Sequence, residues 1–145
     1  MVSVISGHHT PLYSTFEQSE STDNGVKLLI AKGVPANKIV IGAAMYGRIF
    51  KLTKLENNGL YQPCVFLKGV SYNELDAFLA EHKTFKKYWD PIAKAPYYFS
   101  IEEKSLFSYD DPASIKIKTK YLIKNKLNGI MFWQLHDDKP KKWSA

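Results

Sequence analysis

Two stretches of the chain share one design, an apolar run that ends in aromatic and charged residues. Ile39-Val40-Ile41-Gly42-Ala43-Ala44-Met45 leads into Tyr46-Gly47-Arg48, and Gly129-Ile130-Met131-Phe132-Trp133-Gln134-Leu135 leads into His136-Asp137-Asp138. Apolar runs of this length predict buried strands, and a core strand capped by its Trp would account for the second one alone. Two strands that both deliver polar or aromatic groups at their C-terminal ends describe the working face of a parallel α/β fold. A helix is predicted ahead of the first strand. Ser21, Thr22 or Asp23 can cap it, Val26, Leu29 and Ile30 are its apolar positions, and Gly33 then Pro35 stop it. Ahead of the second strand, Asp111 caps and Pro112 opens another helix. The alternation from Ile115 to Tyr121 locally favours a strand. The cap, the spacing of Lys116, Lys120 and Lys124, and the Asn128-Gly129 stop decide for helix.

Residues 51–110 follow a different pattern. Lys54–Gly59 is turn-like, and Ser71 with Glu74 forms a capping box before Leu75, Phe78 and Leu79. Strand-like pieces follow at Phe85–Trp89, Pro96–Ile101 and Leu106–Tyr109. This reads as a small α+β unit set between two halves of an α/β pattern.

The composition refines this picture. With 145 residues and 45% hydrophobic content, a single domain with a real core is expected. Aromatics make up 14%, which suits stacking against the flat faces of sugars and equally suits a core. The single Cys64 excludes an internal disulfide, and no Cys/His spacing fits zinc. No apolar run approaches the ~20 residues of a membrane span, and the first six residues lack the features of a signal peptide. The net charge of +6 is concentrated in residues 112–145. Its Lys residues are spread along one helical segment, so a solvated helix face is expected, with neither nucleic acid nor membrane as partner.

Six short motifs in order then acquire meaning together. They are Gly7-His8-His9-Thr10-Pro11-Leu12-Tyr13, Tyr46-Gly47-Arg48, Ser71-Tyr72-Asn73-Glu74-Leu75, Ala95-Pro96-Tyr97, Tyr109-Asp110-Asp111 and Gly129-Ile130-Met131-Phe132-Trp133. In this order they resemble the C-terminal part of a family-18 glycoside hydrolase, the chitinase family. The resemblance implies an α/β fold, the C-terminal portion of a (β/α)8 TIM barrel, with Ile39–Met45 as strand seven and Gly129–Leu135 as strand eight. Residues 1–52 and 111–145 would be partial barrel, and 53–110 the family's α+β insertion domain.

The family cleaves β-1,4 links between N-acetylglucosamine units with retention, using the substrate's own acetamido oxygen and a Glu acid from strand four. That strand's Asp-x-x-Asp-x-Asp-x-Glu signature has no counterpart among the seven Glu residues here. No catalytic residue is therefore expected in this chain, which reads as part of a barrel and as inactive alone. By resemblance, Trp133 is the apolar floor under the reacting sugar, and Tyr46 and Arg48 hydrogen-bond the oligosaccharide. Glu74 either bonds sugar hydroxyls or completes the Ser71 capping box. Asp110 and Asp111 are assigned to capping. His8, His9 and His136 with Asp137 and Asp138 have no metal-site spacing, so neither metal nor cofactor is predicted. Asp137 and Asp138 should face opposite ways and make a poor catalytic pair. The alternative function is a non-catalytic, chitin-binding module. Family membership would imply a secreted or periplasmic protein. Strands seven and eight without neighbours would expose edges and apolar surface, so self-association, or stability held mainly in the insertion unit, is expected.

Overall fold

The computed structural model describes residues 5–139. The terminal residues 1–4 and 140–145, including the start lacking signal-peptide features and the last two Lys residues of the basic segment, lie outside that range.

Helix α1 (Thr22–Ala31) begins where Ser21 accepts a hydrogen bond from the Asn24 amide, and Gly33, at φ 89°, closes it in the left-handed region. Strand β1 (Val40–Ala44) follows and pairs in parallel with β7 (Gly129–Trp133), Ala44 lying opposite Trp133. Helix α3 (Pro112–Lys124) leads into β7. Asp111 caps it by accepting from the Ala113 and Ser114 amides, while the Asp111 amide donates to Ser114 Oγ. Leu12, Val26, Ile39, Ile41, Tyr121 and Leu127 form the core that joins this pair of strands to the helices.

The second sheet is antiparallel, with strand order β3-β2-β6-β5-β4. Its strands are β2 (Tyr46–Leu52), β3 (Cys64–Ser71), β4 (Lys86–Asp90), β5 (Ala95–Ser100) and β6 (Ser105–Ser108). Helix α2 (Leu75–Glu81) covers one face, where Ile49, Phe78 and Phe107 pack; Phe50, Phe99 and Leu106 pack on the other. Ile49 and Phe50 are neighbours on β2 and serve opposite cores through the ordinary alternation of a strand, while the register shift beside them leaves Leu67 of β3 without a partner on β2.

Three sequence expectations change here. The sheet opens at Tyr46, ahead of residue 53, and β3 was absent from the predicted strands. Its pattern hides it: the five residues from Val65 to Gly69 are all exposed, with none of the alternation that marks a half-buried strand. The Ser71 capping box does not form. Ser71 Oγ donates instead to Asp137 Oδ1 at 2.9 Å, and Glu74, exposed, makes no capping bond.

The third change concerns α3. Lys118 is fully buried, not part of a solvated face, and its Nζ reaches both oxygens of buried Asp110 at 2.8 and 2.6 Å. Asp110 also accepts from Ser114 Oγ (2.7 Å), Thr10 Oγ1 (2.8 Å) and the Ala44 amide (3.3 Å). Its role is therefore an internal anchor, not a helix cap. Burial holds the Lys118 ammonium below the usual lysine range, against the opposing influence of Asp110.

Removing one member of a buried, hydrogen-bonded ion pair strands the other charge, at a cost of about 3–5 kcal/mol. Asp110→Ala and Lys118→Met should each lower stability by that order, or prevent folding, in urea unfolding. The double change should cost less than the sum. Single variants within experimental error of the parent would contradict the anchor role.

Candidate functional site

The sharp turn between β1 and β2 is where the two sheets meet. The Met45 amide donates to the Trp133 carbonyl (2.8 Å), and the Met45 carbonyl accepts from the Tyr72 amide (2.8 Å). One residue thus links the end of β7, the start of β2 and the segment that follows β3. Two further bonds lock the same corner. Ser71 holds Asp137, and Asn73 Nδ2 donates to the His136 carbonyl at 2.8 Å. Asp137 is buried whereas Asp138 is exposed, in keeping with the expected opposed directions.

Trp133 ends β7 with its side chain 62% exposed, a large apolar face offered to solvent at the strand's C-terminal end. Leu135 falls in a short 3-10 turn just beyond, so the strand is two residues shorter than predicted. Tyr46, half-buried, begins β2 and lies against the His9 ring at 4.9 Å between centroids. Arg48 is exposed two residues on, on the same side of the strand. Gly47 between them is obligatory. A Cβ there would collide with the Phe107 ring and stand 2.7 Å from the Ser108 carbonyl oxygen.

The motif around His8 and His9 builds a wall beside Arg48. Gln18 clasps the His8 backbone at both its amide and its carbonyl, each at 2.9 Å. The buried His8 ring donates from Nε2 to Asp90 Oδ2 at 2.9 Å, which fixes the proton on that nitrogen. Burial raises the Asp90 pKa, but the bonds from His8 and from the Ala93 and Ile92 amides outweigh it and bring it to about 2. His9 donates its amide to Ser108 Oγ at 2.7 Å. Desolvation, then the Arg48 charge, lowers the His9 pKa to about 4 against the opposing pull of Asp110, so its ring is neutral near pH 7. A cavity of about 370 Å³ opens here, with His8, His9, Gln18, Glu17, Arg48 and Tyr61 among its walls.

Of the residues expected at the site, Trp133 ends β7, Tyr46 and Arg48 lie at the start of β2, and Glu74 stands two residues beyond the Tyr72 amide that bonds this corner. The sequence reading weighed His9 and Asp137 only as metal or catalytic candidates and gave them no other role, because the partners that define their roles lie 99 and 66 residues away and leave no local signal. His8, His9 and His136 serve separate contacts, and among the described residues no group of three or more His, Cys, Asp or Glu side chains is gathered to hold a metal.

Residues 2–138 match the family described as Glycosyl hydrolases family 18. Chitinase A1 of Niallia circulans is 35% identical over 117 residues, which covers 75% of this chain and 17% of that protein. Chitinase B of Serratia marcescens is 31% identical over 134 residues, covering 76% of this chain and 27% of its own length. The chain therefore spans less than a third of either relative. The glycoside hydrolase family 18 N-acetylglucosaminidase from Paenibacillus barengoltzii superposes with a TM-score of 0.86 at 40% identity, over 93% of this chain and 40% of that one. These likenesses assign an α/β fold derived from the TIM barrel.

The His9 shift carries a sign. Its folded-state pKa lies below the unfolded value of 6.5, so the folded chain binds fewer protons. The stability that neutral His9 contributes is complete above pH 6.5 and is lost as the pH falls from 6.5 through about 4. NMR titration of the His9 ring should show a midpoint near 4, and His9→Gln should flatten the acid limb of stability. A midpoint near 6.5 would contradict this environment.

Proposed function

This chain belongs to family 18 of the glycosyl hydrolases, and we propose that it supplies the aromatic and hydrogen-bonding half of a site for β-1,4-linked N-acetylglucosamine oligomers. The observation that carries the reading is the corner at Met45, where an exposed Trp133 meets the strand that bears Tyr46 and Arg48. The indole offers a broad apolar face to the C–H surface of a pyranose. The Arg48 guanidinium presents a fixed fork of donors to hydroxyl and acetamido oxygens, and the Tyr46 hydroxyl both donates and accepts. Glu74, exposed and without a capping bond, is available to accept from sugar hydroxyls.

In this reading β1 and β7 are strands seven and eight of a (β/α)8 barrel, and the five-stranded sheet with α2 is the insertion between strand seven and the next helix. The outer edges of β1 and β7, unpaired among the described residues, and Val40, Met131 and Phe132 left about half exposed, are what such a barrel would cover with its other strands or with further copies of this chain. Cleavage would proceed with retention by substrate assistance. Its general acid would come from residues outside this chain, since no Glu here has the spacing of the family's acid motif. Trp133, Tyr46 and Arg48 would bind and orient the distorted sugar, and leave proton transfer to that acid.

Calorimetric titration with the N-acetylglucosamine trimer should show saturable binding, weakened about tenfold in Trp133→Ala and less in Arg48→Ala. Binding indifferent to Trp133 would contradict the proposed site.

A further inference from the structure

The loop ahead of α1 brings one ring to the start of β2. The His9 ring lies 4.9 Å from that of Tyr46, centroid to centroid, at an interplanar angle of 51°. That separation is typical of a favourable aromatic contact. Among the described residues, no other ring packs on Tyr46 and no hydrogen bond engages its hydroxyl. The Tyr46 side chain turns about two torsions, and the His9 ring is its aromatic support.

The backbone around His9 is pinned on both sides. Gln18 clasps the His8 amide and carbonyl, the His9 amide donates to Ser108 Oγ, and Thr10 Oγ1 donates to Asp110. These bonds fix the point from which the ring projects. The ring itself makes no hydrogen bond among the described residues, and its Nε2 is closed off from solvent. An unpaired buried nitrogen is unfavourable, so the imidazole is not held here by its polar atoms. What it contributes is a flat face against Tyr46. Arg48 follows Tyr46 on the same side of β2 and shares a cavity with His9. Because the ring is neutral near pH 7, it neither repels the guanidinium nor captures it in an ion pair, and the Arg48 donors stay free.

We infer that His9 is a positioning residue of the proposed sugar site: it does not meet the sugar, and it sets the Tyr46 ring in the orientation that does. This rests on the saccharide reading of the Met45 corner. A double-mutant cycle in calorimetric titrations of the chain with the N-acetylglucosamine trimer, at pH 7, tests it. His9→Ala should weaken binding about fivefold and Tyr46→Ala by a similar factor, and the two together by little more than either alone. Trp133→Ala should instead cost its full factor of about tenfold in both the parent and the His9→Ala background. His9→Phe, which keeps a flat and uncharged ring, should bind within about twofold of the parent. Should His9→Ala fail to fold in urea unfolding, His9→Leu, with bulk but no ring, takes its place in the cycle. Losses at His9 and Tyr46 that multiply overturn the positioning role, as does a His9→Phe variant as weak as the ringless one. Binding that depends on Trp133 and ignores His9 overturns this role alone. Binding that ignores Trp133, or a parent chain that binds no trimer, overturns the sugar site and this role with it.

Discussion

Asp110 receives hydrogen bonds from four places at once: Thr10 in the N-terminal loop, the Ala44 amide at the end of β1, and Ser114 and Lys118 on α3. A carboxylate buried this deeply is tolerable only because a buried ammonium and three neutral donors take up its lone pairs. The geometry that satisfies the charge is also what fixes the strand end. Ala44 lies opposite Trp133, and Met45, the next residue, bonds the Trp133 carbonyl. Thr10 follows His9, whose ring lies against Tyr46. The side chains proposed to meet a sugar are therefore set from behind by an electrostatic knot that need not touch the sugar.

The exposed aromatic at the end of β7 makes chemical sense on this frame. A Trp that is 62% exposed forgoes most of the stabilisation its burial would bring. Asp137 and Ser71 fix the turn that follows it, which keeps a costly exposed surface in one place. The His8–Asp90 bond likewise couples the loop that walls the Arg48 cavity to the hairpin of β4 and β5. Both the strand end and the loop are thus held by bonds to other elements, an arrangement that lowers the ordering cost of binding a flexible chain.

How much of this was legible in the sequence follows from where each signal lies. The caps at Ser21 and Asp111, the stop at Gly33, and the apolar runs of β1 and β7 are local, and they located α1, the start of α3 and the parallel pair; α3 ends at Lys124, ahead of the stop expected at Asn128-Gly129. The motif residues Tyr46, Arg48 and Trp133 stand at strand ends, where pattern alone already suggested a working face. What stayed hidden depends on distant partners. Lys118 looked like one more solvated Lys because the carboxylate that buries it lies eight residues upstream, across a helix cap. Ser71 had a capping role open to it within three residues, yet it spends its hydroxyl on Asp137, 66 residues away. β3 carries the apolar run Cys64-Val65-Phe66-Leu67, which does not alternate because most of the strand lies exposed rather than half-buried, and so lacked the pattern of an amphipathic strand.

The claim that one buried carboxylate couples the strand pair to the sheet is tested most directly by native-state hydrogen exchange at the Ala44 amide, which donates to Asp110. If Asp110 couples them, Ala44 and the ladder amides of β1 and β7 open with the same free energy as those of Ile49 and Phe107 in the second sheet. A separate opening of β1 and β7, several kcal/mol easier than that of the sheet, would show that the knot at Asp110 does not hold the two together.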